Sequence, residues 1–155
     1  MPLETLVRFR RLKAIEHEYR IAALAMRKLV VQARSDPTIL EADMKFSGIG
    51  EALDNLNNTY AIRLFADFET GLRQFWTAAR LEPEPRSITE IIDRVASRHR
   101  IGSDELRNVH RVRKDRNRQV HDNEEEGEAI DVGDCRHFLN AFLGEMPSSW
   151  ERATH

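Results

Sequence analysis

Apolar residues recur three and four positions apart along most of this chain, which is the spacing of one face of an α-helix. The longest apolar stripe runs from Leu3 to Arg34, and a second stripe, richer in aromatic residues, runs from about Glu51 to Leu81. Pro2 suits the start of the first helix, and Ser35-Asp36-Pro37 suits its end. No segment alternates with the period of two that is typical of a strand. The pattern therefore predicts an all-α protein.

Three shorter helices follow the two long ones. Glu82 to Pro85 forms a stiff turn, and the next helix covers 87–101 with a capping box at Ser87-x-x-Glu90. Further helices are predicted over 103–121 and over about 131–146. The predicted fold is a bundle of about five helices that begins with a long N-terminal helix.

With 155 residues the chain has room for one domain. We expect a single helical domain over 1–155, with its core within about 50–146 and an additional long helix over 1–34. The first stripe is longer than a small bundle needs, so part of it, mainly its first half, is expected to contact another subunit. The aromatic stripe of the second helix predicts packing and no cofactor site. Trp150 and the tail are expected to dock loosely.

Composition excludes several classes of protein. The chain is 41% hydrophobic and 32% charged, with a net charge of -2, as in ordinary globular helical proteins. It contains no run of eighteen apolar residues and no signal-peptide pattern, so we expect a cytoplasmic protein without a membrane partner. The single Cys135 cannot form an intrachain disulfide or a multi-cysteine zinc site, and His17 and His137 have no companions at ligand spacing. We therefore predict no metal and no cofactor.

The charge is unevenly distributed along the chain. Arg98 to Arg118 contains eight Lys or Arg against three acids, and Asp122 to Asp134 contains seven acids and no base. Two solvated charge clusters would explain this distribution, and so would a track for phosphate groups. The basic helix 103–121 has an apolar face with Leu106, Val109, Val112 and Val120. Its basic residues are the candidate RNA contacts: Arg107, Arg111, Arg113, Lys114 and Arg118.

Arg116 interrupts the apolar face of that helix. A guanidinium there must face a groove, an acidic partner or a second subunit, because burying it without a partner costs several kcal/mol. Asn117 follows Arg116 directly, and His121 lies about one turn after Asn117. The three residues form the motif Arg-Asn-x-x-x-His. This motif resembles the signature of the HEPN family, and the resemblance covers roughly Gly50 to Met146.

HEPN proteins are small all-helical domains, and many are metal-independent endoribonucleases that act as dimers with their motifs facing each other. The resemblance implies that Arg116, Asn117 and His121 are catalytic, that RNA is the substrate, and that the chain is a toxin or defence effector. An antitoxin or a regulatory protein would then be a further partner. Asn123 stands where toxins paired with a nucleotidyltransferase antitoxin carry Tyr, which argues against that particular antitoxin.

The residue types suit this chemistry. A His can move the proton of the RNA 2′-OH near neutral pH, and an Arg can hold the phosphoryl oxygens with a bidentate fork. Arg116 and His121 are about 140° and about 7.5 Å apart on one helix, so two subunits would form the cleft together. Glu69 is a candidate partner of Arg116 or Arg113, although a solvated Glu is the simpler interpretation. His110 completes a shorter Arg-Asn-x-His segment in mid-helix, which we interpret as coincidence.

Two alternatives come from other classes of protein. A catalytically inactive HEPN-like dimerisation or scaffold module would have the same fold and no cleavage. A DNA-binding domain is the other, because Ala96, Ile101-Gly102-Ser103 and Leu106 imitate a helix-turn-helix before the basic helix. Its basic residues run along the whole helix, whereas such readers concentrate them near the N-terminal end.

Overall fold

A computed structural model describes residues 4–79, 83–121 and 129–150 of the chain. It confirms the predicted all-α bundle with a long first helix, and no strand occurs in the described ranges. A short 3-10 turn, Pro37–Ile39, links the first two helices. The acidic segment 122–128, which includes Asn123, and residues 80–82 lie outside the described residues. The five helices of the described ranges are α1 Glu4–Ser35, α2 Phe46–Ala78, α3 Ile88–Arg98, α4 Ser103–His121 and α5 Val132–Gly144.

The start of α2 differs most from its prediction. The helix begins at Phe46, five residues before Glu51, and it includes Gly48 and Gly50. A Cβ at either glycine would meet no neighbouring atom within 4 Å, so neither position is packed against the rest of the chain. Ile49 between them is buried. Packing of Ile49 therefore outweighs the low helix propensity of its two neighbours.

Helices α1 and α2 pack side by side in opposite directions. Their contacts show the direction, because residue numbers rise along α1 while they fall along α2. Tyr19 stacks on Tyr60 with ring centroids 5.7 Å apart, and Glu18 pairs with Arg63 at 3.1 Å. Further toward the start of α1, the side chain of Arg8 reaches Gln74. The two helices thus form a long antiparallel hairpin against which α4 and α5 pack.

The main core lies around the C-terminal half of α2, which confirms the packing role predicted for its aromatic stripe. The edge of the Phe68 ring meets the ring of Phe142 from α5, with centroids 5.6 Å apart. The first half of α1 also contributes to this core. This half of the stripe therefore packs on the chain's own core, and its expected contact with another subunit stays a prediction. The contributing residues of α1 are Phe9, Leu12, Ile15 and Tyr19.

A buried polar cluster joins α1 to α2. Arg8 and Asp67 each have only 8% of their side chain exposed, and Arg8 Nη1 lies 3.3 Å from Asp67 Oδ1. Arg8 also donates to the Gln74 side chain, and Arg11 Nε donates to Asp67 Oδ1 at 2.8 Å. Gly71 makes room for this arrangement, because a Cβ there would come within 3.0 Å of Arg8 Cδ.

Two local predictions are wrong. Trp150 is buried, its indole Nε1 donates to Thr5 Oγ1 at 3.0 Å, and its ring meets Phe75 edge-on at 5.7 Å. Its docking is therefore tight, because the indole gains both a core contact and a hydrogen bond. Ser87 precedes α3, but its side chain makes no capping hydrogen bond, so the predicted capping box does not form.

None of the helices within the described ranges is both long enough and apolar enough to cross a membrane.

Candidate functional site

Helix α4 has the boundaries predicted for it, from Ser103 to His121. Val109 and Val112 are buried against the other helices, which fixes the face that α4 turns inward. Asp115 is also buried, and its carboxylate accepts a hydrogen bond from the backbone N–H of Ile130 at 3.4 Å. Val120 was predicted on the inner face and is instead about half exposed. The inward face therefore ends before the last turn, where the motif lies.

The segment that leads into α5 is fixed to the bundle by a single amide. Asn57 Nδ2 donates to the carbonyl of Ile130 at 3.1 Å, and Asn57 Oδ1 accepts from the N–H of Val132 at 3.1 Å. Asp131 then caps α5 by accepting from the N–H of Gly133 at 2.9 Å. Together with Asp115, these bonds hold α4 and α5 in one arrangement.

A basic groove lies between α3 and α4. We define it by its lining residues, and it encloses about 410 Å³. It contains four of the five side chains predicted to contact RNA, which the helical spacing of α4 brings to one side. Thr89 of α3 and Ser103 of α4 also line this groove. The basic groove consists of Thr89, Ser103, Leu106, Arg107, His110, Arg111, Arg113 and Lys114.

His110 lies at the centre of a hydrogen-bonded chain in the basic groove. Its Nε2 is 2.7 Å from Asp93 Oδ1 on α3, and its Nδ1 accepts from Arg113 Nε at 3.1 Å. A guanidinium only donates, so Nδ1 must be the acceptor and Nε2 must carry the proton given to Asp93. These two hydrogen bonds fix the ring of His110, and they do not involve the two Nη groups of Arg113.

The cations of the basic groove are only partly neutralised. Arg107 pairs with Asp104 at 3.0 Å in an exposed i,i+3 bridge, which contributes little. Arg111 lies over the Phe138 ring at 5.4 Å. Arg111, Arg113 and Lys114 have no carboxylate partner within ion-pair distance among the described residues. The groove thus presents at least three uncompensated positive charges.

Arg118 does not belong to the basic groove. Its guanidinium pairs with Asp115, one turn earlier on α4, and its side chain is largely buried. Because Asp115 also holds Ile130, this pair belongs to the contact between α4 and the start of α5. Arg118 is therefore placed away from the other four predicted RNA contacts.

Arg116 lies on another side of α4, against α2. Its guanidinium carbon is 5.0 Å from the centre of the Phe65 ring, and its Nη2 is 3.4 Å from Glu69 Oε2. Glu69 also accepts from Arg73 at 3.1 Å, so it lies between two guanidinium groups. With 22% of its side chain exposed, Arg116 is held in place and still reaches solvent. The acidic partner considered for it in the sequence is present.

Asn117 and His121 continue the line of the basic groove. At about 100° per residue, positions 110, 114, 117 and 121 fall within about 60° of one another on α4. Lys114 and His110 line the groove, and Asn117 is half-buried one turn further on. His121 is the last residue of α4, and its side chain lies outside the described structure. The helix therefore carries the groove and two motif positions on one face, while Arg116 points to a neighbouring face.

The described residues contain no group of three His, Cys, Asp or Glu side chains arranged to hold a metal ion. Cys135 is buried beside the α4 contact, and burial together with nearby Asp115 raises the pKa of its thiol to about 12. A thiol with such a pKa is a poor nucleophile near neutral pH.

Comparisons of the chain with protein-family models, with characterised proteins and with solved structures found no match. The function of the chain is therefore inferred from the geometry of the site.

Several residues of the site had no recognisable signal in the sequence. Asp93, Thr89 and Ser103 enter it from α3 and from the start of α4, because the two helices meet there. His110 was interpreted as coincidence. The signal that could have identified it is its position, since it lies on the line of Lys114, Asn117 and His121.

Proposed function

We propose that this chain is a metal-independent endoribonuclease of the HEPN type. The observation that supports this proposal best is the arrangement of α4. One face of this helix carries the basic groove. On the same face, Asn117 lies about one turn beyond Lys114, and the position of His121 lies about two turns beyond it. A strand of RNA bound along the groove would pass directly to the motif.

In the proposed reaction, the RNA 2′-OH attacks the adjacent phosphorus and the 5′-oxygen leaves. His121 moves a proton, either from the 2′-OH or to the leaving oxygen. Arg116 stabilises the negative charge that develops on the phosphoryl oxygens. Glu69 and Phe65 occupy one edge and one face of its guanidinium, so other N–H groups remain for a phosphate. Asn117 orients the phosphate or the imidazole.

The proposal includes a homodimer. Arg116 and His121 lie on different faces of one helix, about 140° apart, so one protomer barely lets both reach the same phosphate. A two-fold axis beside the last turn of α4 would bring Arg116 of one protomer toward His121 of the other. The half-exposed Val120 lies in the same turn and would be covered there. A monomer by light scattering that still cuts RNA would contradict this composite site.

The activity is tested with purified protein and mixed RNA in EDTA. His121→Ala should lower cleavage by about 10²- to 10⁴-fold, the range for acid–base groups, and Arg116→Lys should lower it by about 10²- to 10³-fold, the range for losing one donor to a developing negative charge. Lys keeps the charge opposite Glu69 but loses the bidentate fork, so the fold should survive. Asn117→Ala should lose less activity. His17→Ala removes an exposed histidine from α1 and serves as the control.

The products and substrates provide a second test. Cleavage should leave a 2′,3′-cyclic phosphate and should fail when the 2′-OH is replaced by hydrogen. Cutting of DNA, or loss of activity on chelation, would refute the mechanism. A toxin or defence effector with an antitoxin or regulatory partner is the biological role that we infer for such an activity, in the cytoplasm.

One observation favours a second candidate, an inactive dimerisation or scaffold module. Arg116 already has a carboxylate and an aromatic ring as partners, which is what a purely structural arginine would need. In that case no RNA would be cut by the dimer, and Arg116→Lys would affect only the stability of the fold. The cleavage assay therefore separates the two candidates.

A further inference from the structure

The basic groove contains a hydrogen-bonded arrangement of three side chains that charge attraction to RNA alone would not require. His110 and Asp93 do not add positive charge to the groove. They instead form hydrogen bonds of 2.7 Å and 3.1 Å in a chain that ends on Nε of Arg113. Asp93 is on α3 and the other two residues are on α4, so the chain also bridges the two walls of the groove.

The hydrogen bond to His110 restricts what Arg113 can do. With Nε donating to the imidazole, the guanidinium is tethered to His110 and its two Nη groups remain for another acceptor. No described carboxylate lies within ion-pair distance of Arg113. A tethered guanidinium without an acid partner, in a groove that Lys114, Thr89 and Ser103 also line, suits the oxygens of a phosphodiester.

The neighbouring groups support an anion as the ligand. Asp93 neutralises no cation of the groove directly, because its bond is to the imidazole. Leu106 supplies an apolar floor. The unpaired cations of the groove favour an anion over an uncharged small molecule, and the groove is followed along the same face of α4 by Asn117.

We propose that the basic groove binds a backbone phosphate of single-stranded RNA next to the cleavage site, and that Asp93 and His110 are positioning residues that hold Arg113 for it. This inference deepens the proposed function, since it relies on RNA as the ligand. It gives His110 a role in substrate binding, in contrast to its interpretation from sequence. It does not place His110 at the reacting phosphorus.

The experiment measures binding by fluorescence anisotropy, using labelled single-stranded RNA with 2′-O-methyl groups so that it cannot be cut. Arg113→Ala should weaken binding and reduce the dependence of log K on log salt by about 0.7, the value for one phosphate contact on a single strand. His110→Leu should weaken binding about tenfold, because a hydrogen bond to a charged group is worth that much. Arg63→Ala removes an exposed cation from α2 and should change little.

Two further variants test the positioning role. His110→Gln keeps one donor for Asp93 and one acceptor for Arg113, so it should restore most of the affinity lost in His110→Leu. His110→Leu should cause no further loss when Arg113 is already Ala, because the two residues act through one contact. With cuttable RNA, His110→Leu should raise KM and leave kcat nearly unchanged.

The outcomes are distinct. If Arg113→Ala and Lys114→Ala leave RNA affinity unchanged, the phosphate site is refuted. If His110→Leu lowers RNA affinity equally with Arg113 present and in the Arg113→Ala variant, the positioning role is refuted. Tighter binding of duplex DNA than of RNA would overturn RNA as the ligand. Because the binding probe cannot be cut, expected binding without any cleavage would refute the proposed ribonuclease and the cleavage site beside the groove, and would leave the RNA phosphate site and the positioning role standing.

Discussion

The buried pair between Arg8 and Asp67 allows a stability prediction with a defined magnitude. Asp67→Asn removes the negative charge and leaves the Arg8 guanidinium in a site where 8% of its side chain is exposed. Arg11, which also contacts Asp67, is largely exposed and can return to water. Breaking a buried ion pair by removing one partner costs about 3–5 kcal/mol, so Asp67→Asn should lower the free energy of unfolding by about that amount.

The chain offers a matched control on the same two helices. Glu18 and Arg63 also join α1 to α2 at 3.1 Å, but their side chains are 56% and 46% exposed. Glu18→Gln should cost less than about 1 kcal/mol, because water already screens that pair. Urea unfolding followed by circular dichroism measures both variants. Equal losses for Asp67→Asn and Glu18→Gln would refute the argument from burial. Recovery of stability in the double variant Arg8→Met with Asp67→Leu would support it, because no charge is then left unpaired.

Three other properties can be measured directly. Burial lowers the pKa of His99 below its ordinary value of 6.5, so this histidine binds a proton more readily in the unfolded chain than in the folded one. The stability of the fold should therefore fall as the pH drops below about 6.5. His99→Phe should flatten this pH dependence in thermal unfolding. The raised pKa of Cys135 predicts that a maleimide fails to label the native thiol at pH 8 and labels it fully in urea. Trp150→Ala should destabilise the fold by about 3–5 kcal/mol in urea titrations. Trp150→Phe should destabilise it less, because this variant loses mainly the hydrogen bond to Thr5. Similar losses for the two variants would contradict this reasoning.

Local patterns predicted the helices well and their mutual contacts poorly. The boundaries of α4 follow from Gly102 before it and from the uninterrupted helix-forming sequence after it. The early start of α2 was missed, since Gly48 and Gly50 weaken a helix unless packing of a residue such as Ile49 compensates.

In the candidate site, too, the residues of a single helix were predicted better than the contacts between helices. The sequence of α4 was enough to name the four cations of the groove, but it also included Arg118, which pairs with Asp115 instead. The bond between Asp93 and His110 depends on how α3 approaches α4, and no spacing within either helix contains that information. The same holds for Arg8 and Asp67, which are 59 positions apart. Arg116 was recognised as anomalous from its face, whereas its choice of Glu69 required the position of α2.

The space that Gly71 leaves for Arg8 also determines how the two longest helices are aligned along their axes. Both helices carry apolar stripes that repeat every turn, so hydrophobic packing alone would tolerate a slide of one turn, about 5.4 Å. After such a slide Arg8 would face a residue with a side chain in place of Gly71, and its guanidinium would lose Asp67 and Gln74. The cluster thus makes one alignment much better than its neighbours, and it thereby sets which turns of the hairpin meet α4 and α5.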